Sequence, residues 1–134
     1  MTDFSPIRES VLHLDRERLR RILEDLTGTE GALGSALIAL DGIVIADNFV
    51  VEVNLEKLAA LLSSVYNTLQ RVFGDLKQGD VQASWIETDR YGFLVQAVEP
   101  RLLVVVVRHD VPIGLMRLSM RRAVVQLKRA ERPI

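Results

Sequence analysis

The stretch LGSALIALDGIVIADNF, residues 33–49, decides how the rest of the chain is read. Two apolar runs rich in Ile and Val flank Asp41-Gly42, a dipeptide that accepts the positive φ of a tight turn. Residues 33–40 and 43–49 are therefore expected to be antiparallel strands joined by a two-residue hairpin. Upstream, Leu19, Ile22, Leu23 and Leu26 recur at i, i+3, i+4 and i+7, which predicts a helix over 15–27 capped by Asp15 and stopped by Gly28. Downstream, Asn54 is a good N-cap for a long helix. Its apolar positions Leu55, Leu58, Ala59, Leu62, Val65, Tyr66, Leu69, Val72 and Phe73 are expected to share one buried stripe.

Three further strands are expected at 81–88, 91–98 and 102–108, joined by Asp89-Arg90 and Glu99-Pro100-Arg101. A last helix follows Asp110, with Pro112 in its first turn and Ile113, Met116, Met120, Ala123, Val124 and Leu127 on one face. The order α-β-β-α-β-β-β-α gives a layered α/β (α+β) fold with a five-stranded antiparallel sheet. The strand at 102–108 is apolar throughout, as a central strand covered on both faces should be, so one long helix is expected on one face and two helices on the other. Gln82, Ser84, Glu87 and Thr88 make 81–88 the wettest strand and hence an edge. Residues 1–11 read as a flexible arm, 12–130 as a single domain and 131–134 as a tail.

Composition narrows the function. In 134 residues, Lys and Arg total 17 against 18 Asp and Glu, which argues against generic nucleic-acid binding. The 49% of hydrophobic residues suffices for a core, and cysteine is absent, so disulfides, thiolate metal sites and thiol catalysis are excluded. The N-terminus does not read as an export signal and no apolar run approaches the length of an integral membrane segment, so a cytoplasmic protein is expected. From Arg101 onward, however, eight basic side chains face two acidic ones. A solvated cationic helix end explains that excess, with an acidic partner or anionic lipid surface as a second use.

Chemistry is hard to assemble. His13 and His109 lie beside no nucleophile motif, so no catalytic residue is assigned and no enzyme is expected. Gly28, Gly31 and Gly34 follow a helix and precede a strand, the reverse of a dinucleotide-binding order. Asp41, Asp47, Asp89 and Asp110 sit in separate turns without calcium-loop spacing, so neither metal nor cofactor is expected. What remains is surface for association. Away from its sheet stripe the long helix offers Ala60, Ser63, Ser64 and Asn67 with Leu61 on one flank, small enough for another helix to approach. The edge strand carries Trp85 and Ile86 on opposite faces and contains no proline, lysine or arginine to block pairing. Together these suggest a dimer seam.

The order of elements resembles the roadblock/LC7 family. The likeness rests on Leu23-Glu24-Asp25-Leu26 before Gly28 and Gly31-Ala32, on residues 36–46 around Asp41-Gly42, and on Leu58-Ala59-Ala60-Leu61. It rests also on the apolar strand 102–107 and on Ile113-Gly114-Leu115-Met116-Arg117, and it spans residues 12–127. The resemblance implies a homodimer joined through third strands into one ten-stranded sheet, with the long helices side by side as a platform for a Ras-like small GTPase. It implies a non-enzymatic regulator or scaffold, as in bacterial GTPase-activating partners of polarity and motility GTPases. On this resemblance Leu61, Ser64, Val65, Thr68 and Val72, with Gln82, Ser84, Trp85 and Ile86 of the edge, form the dimer interface. Glu56, Ala60, Ser63, Asn67 and Arg71 form the partner-binding platform. The alternative is a small-molecule sensor of PAS or profilin-like architecture, which would need a cavity with convergent polar groups such as Tyr66, Ser84 and Gln96.

Overall fold

A computed structural model describes residues 15–130; the expected arm at 1–11, His13 and the tail at 131–134 lie outside the described residues. Helix α1 (Arg16–Thr27) opens on Asp15, whose carboxylate accepts the Arg18 N–H at 3.2 Å, and it closes where the Gly28 N–H donates to Glu24 O at 2.8 Å. Strands β1 (Ala32–Ala39) and β2 (Val44–Phe49) follow, then helix α2 (Leu55–Asp75). Strands β3 (Ala83–Glu87), β4 (Tyr91–Val98) and β5 (Arg101–Arg108) lead to helix α3 (Ile113–Ala130).

All pairings are antiparallel and the sheet order is β2-β1-β5-β4-β3. The apolar strand β5 is central, and its residues from Arg101 to Val107 are all buried. Two separate cores result. Leu19, Leu23 and Leu26 of α1 join Met116, Met120 and Leu127 of α3 over Leu37, Leu94, Leu103 and Val105 on one face. On the other, Ala59, Leu62 and Tyr66 of α2 cover Ala36, Ile38, Val95, Leu102 and Val104. Burying each such large side chain stabilises the fold by roughly 1.5–3 kcal/mol. The one-plus-two helix arrangement is thus as the apolar central strand requires.

Most boundaries fall within a residue of expectation, and three differences bear on the edge and the hairpin. The edge strand is shorter, Ala83–Glu87, and β5 begins one residue earlier, at Arg101, which pairs with both Ala39 and Val98. The β1–β2 connection is wider than a two-residue hairpin. Leu37 pairs with Ala46 but Ile38 pairs with Val44, so Ile45 is bulged, and residues 40–43 form the loop. Within it the Asp41 carboxylate accepts the Ile43 N–H at 3.2 Å, a local contact that competes with the tighter turn.

Gly42, at φ 93°, sits against α2: a Cβ there would lie 3.1 Å from the Ala60 Cα and 3.0 Å from the Ser63 Oγ. Both the left-handed backbone and the close approach demand glycine. Gly42→Ala is expected to destabilise the domain by about 1–3 kcal/mol in urea unfolding, leaving the slope of the transition unchanged. Neutral behaviour would place the hairpin away from α2.

Candidate association surface

Helix α2 has three faces. Ala59, Leu62 and Tyr66 point into the core. A second face meets the β1–β2 loop, where Asn67 Nδ2 donates to Leu40 O at 3.0 Å and Ser63 packs under Gly42. The third face, opposite that loop by helical spacing, carries Leu61, Val65, Thr68 and Val72 at i, i+4, i+7 and i+11. Leu61, Val65 and Val72 are 55%, 44% and 43% exposed. Leu76, at 59%, extends this apolar stripe past the helix end.

The expectation of a single buried stripe is therefore corrected at Val65, Val72 and Phe73, which are exposed because the apolar positions of α2 cover more of its circumference than one sheet face can bury. Ser63 is corrected as well. It is 4% exposed and its Oγ donates to Ala60 O at 3.0 Å, so its side chain cannot belong to a solvent-facing platform. Glu56, Ala60, Asn67 and Arg71 are exposed, as is Ser64, two turns before Arg71 on the same side of the helix. Leu76 and the docking of Asn67 on the hairpin went unread in the sequence. The i+4 step from Val72 would have found Leu76, whereas the Asn67 contact depends on tertiary placement.

Three side chains tie α2 to the strands beside it. The Tyr66 hydroxyl donates to Glu99 Oε2 at 2.9 Å in the β4–β5 turn. Gln70 Oε1 accepts the Val81 N–H at 2.7 Å, and Gln70 Nε2 donates to Asp80 Oδ1 at 3.2 Å, just before β3. Burial, reinforced by the Glu99 carboxylate, pushes the Tyr66 phenol up to about 12. Phe73, at the end of α2 but off the stripe, shares a cavity of about 340 Å³ with Gln82 and Ala83, so the C-terminal end of α2 lies beside the start of the edge strand.

Strand β3 is paired on one side only among the described residues. Ala97 N–H donates to Gln82 O at 2.8 Å and Thr88 N–H to Tyr91 O at 2.8 Å, so by antiparallel alternation residues 82, 84, 86 and 88 bond inward. The N–H and C=O groups of Ala83, Trp85 and Glu87 consequently point outward along the margin. Trp85 and Ile86 each help the monomer: Trp85 packs on the α1–α3 core over Gly92, and Ile86 on the α2 core. Both remain half-buried, as does Ser84, while Gln82 is exposed. Among the described residues no group of His, Asp or Glu is placed to hold a metal ion.

An open sheet margin and an exposed apolar stripe thus stand on a sheet with helices split one against two. The chain belongs to the Roadblock/LC7 family: residues 19–108 match the Roadblock/LC7 domain. An uncharacterized protein of Methanocaldococcus jannaschii is 31% identical over 108 residues, covering 81% of this chain and 95% of that one. The structure of gliding protein MglB from Thermus thermophilus superimposes with a TM-score of 0.78 at 28% identity, covering 86% of this chain and 89% of that one. A structure described as MglB with tetrameric arrangement gives a TM-score of 0.79, also at 28% identity, over 86% and 88% of the two chains.

Because the raised phenol keeps Tyr66 a neutral donor, its stabilising contribution is fully present below the ordinary tyrosine value near pH 10 and fades as pH rises through about 12. Tyr66→Phe is expected to cost about 1–2 kcal/mol at neutral pH and to remove the alkaline loss between these limits, read by urea unfolding across a pH series. An unchanged alkaline limb would mean that the Glu99 contact does not govern it.

Proposed function

We propose that this protein is a non-enzymatic homodimer that regulates or scaffolds a Ras-like small GTPase. The observation that carries the reading is that one molecule exposes both an apolar α2 stripe, on the helix face turned away from the β1–β2 loop, and the outward backbone of the edge strand β3. Pairing two β3 strands would satisfy the groups of Ala83, Trp85 and Glu87 and extend the sheet to ten strands. The same symmetry would bring Leu61, Val65, Thr68 and Val72 of two α2 helices together, removing apolar surface from water. Similarity to MglB, of which one structure is described as having a tetrameric arrangement, supports self-association, and the GTPase partner is what membership of the Roadblock/LC7 family implies.

On the joined helices Glu56, Ala60, Asn67 and Arg71 would form a mixed, weakly charged deck for the GTPase. Such a deck regulates by binding one arrangement of the GTPase switch segments more tightly than the other. The small-molecule alternative has the cavity of about 480 Å³ lined by Tyr66, Gln70, Asp80, Gln82 and Glu99 in its favour. It leaves the stripe and the open margin unexplained.

Light scattering of the whole chain is expected to give twice the chain mass, and Val65→Asp to give a folded monomer. Ala83→Pro is a milder probe, because it deletes an outward N–H and no bond of the β3–β4 ladder. Its expected effect is at least a tenfold weaker self-association, about 1.4 kcal/mol, with circular dichroism unchanged. A wild-type monomer contradicts the seam.

For the deck, Arg71→Glu should weaken pulldown of a nucleotide-loaded Ras-like GTPase by about tenfold while the dimer persists. Equal capture by the variant would move the binding surface elsewhere.

A further inference from the structure

The α1–α3 layer presents a solvent face that the dimer seam and GTPase deck do not use. Helix α3 carries Arg117, Arg121, Arg122, Lys128 and Arg129 and no carboxylate, in a chain whose formal net charge is −1. Met116, Met120, Ala123, Leu127 and Ala130 bury one side of it. The helical repeat therefore puts Leu118 and Val125, two turns apart, on the line furthest from the sheet. They are 51% and 49% exposed. Arg122 and Arg129 run along one flank of this ridge and Arg121 along the other, while Arg117 and Lys128 turn toward the open edge of the sheet, where they line cavities with Phe73 and Ala83 and with Tyr66 and Glu99.

Helix α1 continues the cationic field. Arg18, Arg21 and Arg129 line the groove between the helices, and Asp25 is the one carboxylate among its lining residues. Arg20, by contrast, is occupied on the far side by Glu17 at 2.7 Å and Glu24 at 2.8 Å. Among the described residues no ion pair neutralises any α3 cation.

We propose that the α1–α3 face docks this protein on a bilayer containing anionic phospholipid. An apolar ridge flanked by cations has the geometry of a helix lying in a membrane interface. Leu118 and Val125 enter the boundary of the acyl chains while the guanidinium groups reach sideways to the headgroup phosphates. Cations on both flanks of α3 and on α1 match a plane of negative charge, whereas a single acidic peptide would meet only one flank. The attachment is peripheral, since no described helix is long and apolar enough to cross a membrane. The sheet stands between the Leu118–Val125 ridge and the exposed α2 stripe, so both surfaces can be engaged at once.

Co-sedimentation of the full chain with phosphatidylcholine vesicles, with and without phosphatidylglycerol, tests the proposal at low and high salt. Binding should require phosphatidylglycerol and weaken with salt. Each cation removed should cost about fivefold, so Arg122→Gln combined with Arg129→Gln should cost roughly 25-fold. Leu118→Ser should weaken binding severalfold without altering the salt dependence. Should the double variant fail to fold, Arg121→Gln alone still carries a readable loss of about fivefold. Absent binding to anionic vesicles, equal binding to neutral ones, wild-type binding by the folded variants, or capture by soluble polyglutamate with no vesicle binding would each overturn the proposal.

Discussion

Backbone hydrogen-bonding capacity at the margin of the sheet is the constraint from which the rest of this architecture follows. Ala83, Trp85 and Glu87 turn their N–H and C=O groups away from β4, and no described segment covers them. Natural edges are usually blunted by charge, proline or a covering element, because an open ladder recruits another strand. Here the only charge in β3 is Glu87, at its end. The margin is instead accompanied by exposed apolar side chains on α2, and the proposed pairing of two chains would cover both features at once.

The double-sided sheet makes this division of labour possible. Strand β5 is buried on both faces, so the core under α1 and α3 is separated from the core under α2 by a layer of backbone. Each layer can specialise. The α2 layer holds apolar and small polar side chains whose position is fixed by Tyr66 on Glu99, Asn67 on Leu40 and Gln70 on Val81. On the α1–α3 layer, Ser35 Oγ donates to Leu23 O at 2.8 Å and Thr27 Oγ1 to Asn48 O at 3.0 Å, so the buried hydroxyls fasten α1 to the first two strands. Cations and a short apolar ridge are left on its outer side.

Much of this is legible in the chain because the governing patterns are local. The Asp41-Gly42 hairpin, the unbroken apolar run of β5, the Asn54 cap and the wet composition around Ser84 each identify an element without reference to any other, and together they give the topology. The faces of α2 are harder. Val65 and Val72 satisfy the helical period for the core as well as for the exposed stripe, and only the width of the sheet decides between them. Ser63 reads as a surface serine because nothing local reveals that Gly42 packs over it. The bulge at Ile45 likewise depends on a register set by β1, which the strand itself does not encode.

Amide hydrogen exchange at Ala83, Trp85 and Glu87 tests the central claim most directly, because those groups lack partners in a single described chain and would acquire them when two edges pair. The account predicts strong protection of these three amides at high protein concentration and its loss on dilution below the dimer dissociation constant, with Ser84 and Ile86 protected throughout. Rapid, concentration-independent exchange at all three would contradict it.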